Sequence, residues 1–251
     1  RSKIQTFPPH YIMVSMAIGV FDSGLGGLTV VKEIKKKYPK SKIIYLGDTA
    51  RIPYGTRSKE TVVRFALEDA RFLMKKGVSM IVIACNTASA WAYEEVKKAC
   101  KVPVYEVISG ARQEAERVGI RIGVIGTRGT IGSGAYGHIG VACPLLVPFI
   151  EEAELDNPAL EIVLREYLKQ FDRLDALILG CTHYPIIAKL IGKIMGPKVR
   201  LINPGEELAK KLPMGEEGGD EYYVTDMTPR YKEVAKRFLR WEIEPKLVKL
   251  G

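Results

Sequence analysis

The sequence predicts an α/β protein made of two pseudo-symmetric α/β domains with mainly parallel sheets. Three observations lead there. Short apolar runs alternate with amphipathic helical stretches along the chain. The runs lack the alternation of a strand with one wet face, so they suit strands buried on both sides. The runs also repeat. Ile18-Gly19-Val20-Phe21 before Asp22-Ser23-Gly24 is echoed by Ile122-Gly123-Val124-Ile125 before Gly126-Thr127. Ile81-Val82-Ile83-Ala84-Cys85-Asn86-Thr87 is echoed by Leu177-Ile178-Leu179-Gly180-Cys181-Thr182-His183. Offsets of 104 and 96 residues, in the same order, mark two related halves, and the shared cysteine ending is what chance matching of apolar strings would not supply.

In chain order, strands are expected at 17–21, 42–46, 80–84, 102–107, 121–125, 176–179 and 199–202, each an apolar run of strand length. Helices are expected at 28–38, 58–76, 89–100, 111–118, 159–171 and 186–195, where Lys and Glu share one face. Residues 17–111 with the returning stretch 210–251 make the first domain, and residues 112–209 the second. Residues 1–16, with Pro8 and Pro9, read as an N-terminal extension. The apolar stretch 12–21 runs straight into Asp22-Ser23-Gly24 without a small-residue cleavage site, so it reads as the first strand and not as a secretion signal.

Composition narrows the function classes. Of 251 residues, 47% are hydrophobic and 27% charged, values of neither a disordered nor a membrane-spanning chain. The net charge of +9 is dispersed, as in Lys32, Lys35, Lys36 and Lys37 around Glu33, and no run reaches five like charges. It reads as a solvated surface with a bias toward anionic small molecules, with neither nucleic acid nor membrane as partner. Cys85, Cys100, Cys143 and Cys181 form no CxxC pair and no zinc or disulfide framework, which suits free thiols in the cytoplasm.

In parallel α/β sheets, ligands bind beyond the carboxyl ends of the strands, where Asp22, Asp48, Cys85 and Cys181 all fall. Two halves about a pseudo-twofold axis would set Cys85 and Cys181 facing each other across an active site in the cleft between the domains. That geometry suits inversion of a stereocentre, which removes a proton from one face of a carbon and returns one to the other. Both cysteines sit where a strand hands over to a helix, whose first N–H groups favour a thiolate or a bound carboxylate. One thiol and one thiolate must coexist, and His183 and Asp22 are placed to assist on their respective sides.

Blander readings compete at each position. A lone buried cysteine is commonly inert packing, and Cys100 and Cys143 are read so; the paired context sets Cys85 and Cys181 apart. Cys181 and His183 lack the further ligands that a metal site needs, so no metal is expected. Gly24-Leu25-Gly26-Gly27 lacks the features of a nucleotide loop but suits a carboxylate cradle. The segment from Asp48 through Arg51 to Gly55 could be a simple turn, with Arg51 in an ion pair.

Together, Gly19-Val20-Phe21-Asp22-Ser23-Gly24-Leu25-Gly26-Gly27, Gly47-Asp48-Thr49-Ala50-Arg51-Ile52-Pro53-Tyr54-Gly55, Cys85-Asn86-Thr87-Ala88-Ser89-Ala90 and Gly180-Cys181-Thr182-His183-Tyr184-Pro185 resemble the glutamate racemases of the aspartate/glutamate racemase family. The likeness runs in order from Ala17 to the C-terminus. It implies interconversion of L- and D-glutamate by a two-base mechanism without cofactor, metal or pyridoxal. By motif, Cys85 would take the α-proton of D-glutamate and Cys181 that of L-glutamate, assisted by Asp22 and His183. Cys143-Pro144 through Glu151-Glu152 resembles a segment carrying a further active-site glutamate; Glu151 matches best and Glu152 is the adjacent alternative. Substrate contacts implied are Asp22, Ser23, Pro53, Tyr54, Gly55, Asn86, Thr87, Thr182 and His183. The resemblance further implies a cytoplasmic homodimer supplying D-glutamate for peptidoglycan. Residues 137–141 and 212–221 are shorter connections than the family usually carries, and Asn203 stands where Asp is frequent.

Three rivals remain. A racemase of aspartate or another amino acid is the nearest, although aspartate relatives tend to carry glutamate at the position of His183. A cysteine hydrolase with Cys181 and His183 leaves Cys85 without a task. A non-catalytic anion-binding protein of periplasmic type would want a secretion signal. Exchange of the substrate α-proton with solvent deuterium separates a racemase from the other two.

Overall fold

The computed structural model describes residues 17–250; the expected extension 1–16 lies outside the described residues. The chain opens with β1 (Ile18–Asp22), α1 (Leu28–Lys37), β2 (Ile43–Gly47), α2 (Lys59–Lys75), β3 (Met80–Ile83), α3 (Asn86–Ala99) and β4 (Val104–Glu106). It continues with α4 (Val107–Val118), β5 (Ile122–Gly126), α5 (Arg128–Gly132), β6 (Ile139–Ala142), α6 (Leu146–Glu151), α7 (Pro158–Leu168), β7 (Ala176–Gly180), α8 (Ala188–Met195), β8 (Arg200–Ile202) and α9 (Pro204–Lys211). It closes with β9 (Glu221–Val224), α10 (Tyr231–Leu239) and β10 (Lys246–Leu247).

Two separate sheets result. One has the order β10-β9-β2-β1-β3-β4, the other β6-β5-β7-β8. Every strand pair in both is parallel. The expected two-sheet parallel architecture is therefore the one observed. The echoed runs occupy matching places: β1 pairs with β3, and β5 pairs with β7.

Two-sided burial explains the unbroken apolar runs. Ile18, Val20, Ile43, Tyr45, Met80 and Val82 point into one core, while Phe21, Ile44, Leu46, Ile81 and Ile83 point into another across the sheet. The first of these cores is shared with the second sheet, through Ile125, Leu177 and Leu179. Ala176, Ile178, Ile122 and Val124 face a third cluster. Burying each such side chain contributes roughly 1.5–3 kcal/mol. The two sheets are thus held by one continuous interior.

Helix starts follow local chemistry. Ser58 caps α2 by accepting from the Thr61 N–H, and the Glu106 carboxylate caps α4 by accepting from the Ile108 and Ser109 N–H groups. That cap starts α4 four residues ahead of the expected position and leaves β4 with three residues. Asn157 and Asn203 cap α7 and α9, each with Pro at the first helical position. Helix α4 crosses the expected 111/112 boundary to pack on β7, β8 and α9. Helix α9 in turn crosses 209/210 and bridges α1 and α4.

Strands β6, β9 and β10 and helices α5, α6, α9 and α10 were not among the expected elements. Strand β6 is an edge strand with Ile139 71% exposed, so no apolar run announces it. Strand β9 buries Tyr222 and Tyr223, which follow the charged Asp220-Glu221 pair, and is held by its register on β2.

Candidate active site

Both strand–cysteine–loop units end at one cavity of about 350 Å³ between the sheets, within the usual size range for small-molecule sites. Cys85 stands at the start of α3, separated from the end of β3 by one residue, and Cys181 follows β7. Both cysteines line the cavity, one from each sheet. Ser23 and Gly24 contribute the β1–α1 loop, and Ile52, Pro53, Tyr54, Gly55 and Thr56 the β2–α2 connection, in which the Ile52–Pro53 peptide is cis. Asn86, Thr87, Thr182 and His183 also line the cavity, so of the expected contacts only Asp22 does not. Glu151 and Glu152 both reach the cavity from the end of α6.

The two glutamates are separated by their partners. Glu151 Oε1 lies 2.8 Å from His183 Nε2, and His183 Nδ1 lies 3.8 Å from the Cys181 sulfur. Glu152 turns outward to an ion pair with Arg230. Of the alternatives the sequence left open, Glu151 is the one joined to the histidine. Burial alone would depress the His183 imidazole. The hydrogen bonds to Cys181 and Glu151, with the charges behind them, overcome burial and push it up to about 10. The ring also packs edge-on against Phe238 at 5.5 Å.

On the opposite wall the balance differs. Burial, then the Asp22 charge, push the Cys85 thiol up to about 12, against hydrogen bonds from Ala88 and Ser23. Asp22 is fully buried and does not line the cavity; Ser23 and Gly24 do. Its Oδ2 accepts from the Gly24 N–H at 3.0 Å, while Oδ1 has no hydrogen-bond partner among the described residues. Burial raises its carboxyl above the ordinary range, and His183 pulls the other way. One wall therefore favours a thiol at Cys85, with the buried Asp22 carboxyl behind it, and on the other the Cys181 sulfur faces a histidine whose charged form is favoured.

Hydroxyls join the lobes. Thr87, Thr127 and Thr130 form a triangle with Oγ1 separations of 2.9, 3.0 and 3.1 Å. Tyr136 donates to Asn86 Oδ1 at 2.6 Å, and Thr29 donates to the Thr182 carbonyl at 2.7 Å. Glycines allow the close approach: a Cβ at Gly26 would stand 2.1 Å from Thr182 Oγ1, and one at Gly55 would stand 2.5 Å from Thr127 Cβ.

Thr127 and Thr130 were not among the expected site residues, because their strand-end loop in the second half carries no motif beyond Gly126-Thr127. Cys143, read as packing, does line the cavity; it is fully buried, and burial, then the nearby Cys181, push its thiol up to about 12. Arg51 is an ion-pair residue as its bland reading held, although its partners are buried. Among the described residues no group of three His, Cys, Asp or Glu is placed to hold a metal ion. None of the described helices is long and apolar enough to cross a membrane.

The model of the Asp/Glu/Hydantoin racemase family matches residues 18–212. The chain belongs to that family. Among curated members, it is 44% identical to the glutamate racemase of Geobacter metallireducens, over 89% of this chain and 92% of that one. It is 45% identical to the glutamate racemase of Aquifex aeolicus, over 92% and 97% respectively. Among solved members, the glutamate racemase of Francisella tularensis, crystallised with D-glutamate, superposes with a TM-score of 0.87 at 38% identity. That likeness covers 94% of this chain and 98% of that one. The racemase family thus accounts for both lobes and for the return of the chain to the first sheet.

Proposed function

We propose that this protein interconverts L- and D-glutamate without a cofactor, by proton transfer between the substrate Cα and two thiol groups. The observation that carries the reading is that Cys85 and Cys181 line one cavity from opposite sheets. The identity to named glutamate racemases supplies the substrate.

In the direction that starts from L-glutamate, the Cys181 sulfur, as thiolate, takes the α-proton and becomes a thiol. Cys85, as thiol, gives its proton to the opposite face of the carbanion and becomes a thiolate. One proton enters and one leaves, so the substrate is inverted and the two sulfurs exchange protonation states. D-glutamate runs the same steps in reverse, starting at Cys85. The imidazolium of His183 stabilises negative charge on the Cys181 sulfur. In the direction that starts from D-glutamate, Asp22 acts through Cys85: as carboxylate it takes the Cys85 proton and so leaves the thiolate that this direction needs.

The two carboxylates of the substrate need separate donors. The Thr87–Thr127–Thr130 triangle suits the side-chain carboxylate, because it gathers three hydroxyls of cavity-lining residues together. Ser23, Asn86, Thr182 and His183, next to the two cysteines, offer backbone N–H groups and polar side chains for the α-carboxylate and ammonium, while Pro53, Tyr54 and Gly55 form the wall that meets the threonine triangle. From the same family likeness we infer a cytoplasmic homodimer supplying D-glutamate for peptidoglycan synthesis; sedimentation measurements of solution mass test the dimer and cell fractionation the location.

The deciding experiment incubates L-glutamate with the protein in D₂O. Deuterium should enter Cα as D-glutamate accumulates, with aspartate turned over far more slowly. Cys85→Ala and Cys181→Ala should each lower interconversion by about 10²–10⁴-fold with the fold retained. Full turnover by either variant would exclude the two-thiol scheme.

A further inference from the structure

Helix α2 buries a stripe of Val62, Ala66, Ala70 and Leu73, and on that stripe stands Asp69, with no exposed surface. A carboxylate on an apolar helix face is costly unless it is paired or neutral. Its partners come from the connection between β2 and α2. Asp69 Oδ1 accepts from Arg51 Nη2 at 3.1 Å, and Oδ2 lies 2.9 Å from the Tyr54 hydroxyl oxygen. The same hydroxyl meets Oδ2 of Asp48, which is also fully buried. Asp48 further accepts from Arg51 Nε at 2.6 Å and from the Thr225 hydroxyl at 2.9 Å. Glu68 pairs with the remaining side of Arg51.

Proton counting decides how this cluster is charged. The Tyr54 hydroxyl has one hydrogen and touches two carboxyl oxygens, so it donates to one of them only. The second oxygen–oxygen contact is attractive only if the carboxyl supplies a hydrogen of its own. Asp48 already accepts at both oxygens, from Arg51 at Oδ2 and Thr225 at Oδ1, which makes it the acceptor from Tyr54. The hydrogen of the other contact then belongs to Asp69 Oδ2, leaving Oδ1 as the carbonyl oxygen that accepts from Arg51. We propose that Asp69 is a neutral carboxylic acid at neutral pH and is a positioning residue, donating to Tyr54 and so fixing the 52–56 wall of the substrate cavity.

The surroundings agree. Burial, then the Asp48 charge, hold the Asp69 carboxyl well above the ordinary range, against Arg51. The charged and titratable groups facing it are Asp48, Arg51 and Tyr54 from the connection and Glu68 from its own helix. Arg51 stacks on Phe65 at 4.1 Å and the Tyr54 ring lies 5.5 Å from the same ring, so little else in the cluster can adjust. Ionising Asp69 would set it against Asp48 and remove the bond to Tyr54. The neighbouring Gly55 stands directly against Thr127. Tyr54 therefore sets how closely the 52–56 wall meets the threonine hydroxyls of the other lobe. The functional part of this inference rests on glutamate being the substrate of the cavity.

The test has two readouts. In protein labelled with ¹³C at the aspartate carboxyls, the Asp69 resonance, assigned by its loss in Asp69→Asn, should show the neutral acid at pH 7. In the racemase assay, Asp69→Asn keeps both a donor and an acceptor and should hold KM within about threefold, whereas Asp69→Ala should raise KM by about tenfold with kcat little changed. Tyr54→Phe, which removes only the shared hydroxyl, should raise KM likewise and serves if the alanine variant does not fold. An ionised Asp69 at pH 7, an asparagine variant as impaired as the alanine one, or a loss confined to kcat would overturn the proposal. Absence of glutamate turnover in the wild type would count against the racemase reading instead, and the carboxyl resonance would still decide the state of Asp69.

Discussion

Replacing Glu151 by Gln tests the charge relay on the Cys181 wall without emptying it. Gln keeps an oxygen to accept from His183 Nε2, now 2.8 Å from Glu151, and removes only the charge. A hydrogen bond to a charged partner contributes about 1.5–3 kcal/mol and a neutral one about 0.5–1.5 kcal/mol. The difference, about 1.5 kcal/mol, corresponds to about one pH unit at 1.36 kcal/mol per unit, and loss of the attraction between whole charges extends this toward two. His183, held at about 10, should therefore titrate one to two units lower in the variant. Its charged form is lost as pH rises, so the alkaline limb of kcat/KM should move down by the same amount. Imidazole ¹⁵N spectra read the titration directly, and with three histidines in the chain the His183 signal is readily assigned. An imidazole that titrates identically in both proteins, or near its ordinary value in the wild type, would refute the Cys181–His183–Glu151 relay.

Three further outcomes follow from the same geometry. Because the His183 pKa is raised on folding, its contribution to stability is complete below about 6.5 and is lost as pH rises through about 10; urea midpoints should fall across that window, and E151Q should bring the fall to lower pH. Gly26→Ala places a methyl 2.1 Å from Thr182 Oγ1 and 2.6 Å from the His183 ring, and should cut kcat/KM by about 100-fold; unchanged kinetics would show that this wall yields freely. Thr130→Val opens the hydroxyl triangle and should raise KM for glutamate by about tenfold with a smaller change in kcat; an unchanged KM would remove the triangle from the carboxylate site.

What could be read in advance depended on how local the signal was. Strands β1, β2, β3, β5 and β7 are apolar runs buried on both faces, so period and length alone locate them. Cys85 and Cys181 stood out because two copies of one pattern ended in the same residue type. The threonine triangle gave no such sign, since Thr87 lies 40 residues from Thr127 and only the folded chain brings them together. Asp69 was hidden for the opposite reason: an acidic residue in a helix rich in Lys, Arg and Glu looks solvated, and only its place on the buried stripe makes it unusual. Glu151 and Glu152 could be told apart only by the direction each takes from the end of α6, inward to His183 or outward to Arg230.

The late return of the chain to the first sheet has a consequence for synthesis. Residues 221–224 fill the flank of β2, Asp220 holds the Ile43 N–H and Lys35, and Phe238 backs the His183 imidazole. While the ribosome is making residues 122–202, the earlier sheet has one hydrogen-bonding edge still bare, a template for pairing with another nascent chain. A chain stalled before residue 221 therefore has every residue that lines the cavity, but lacks β9 on that edge and Phe238 behind His183.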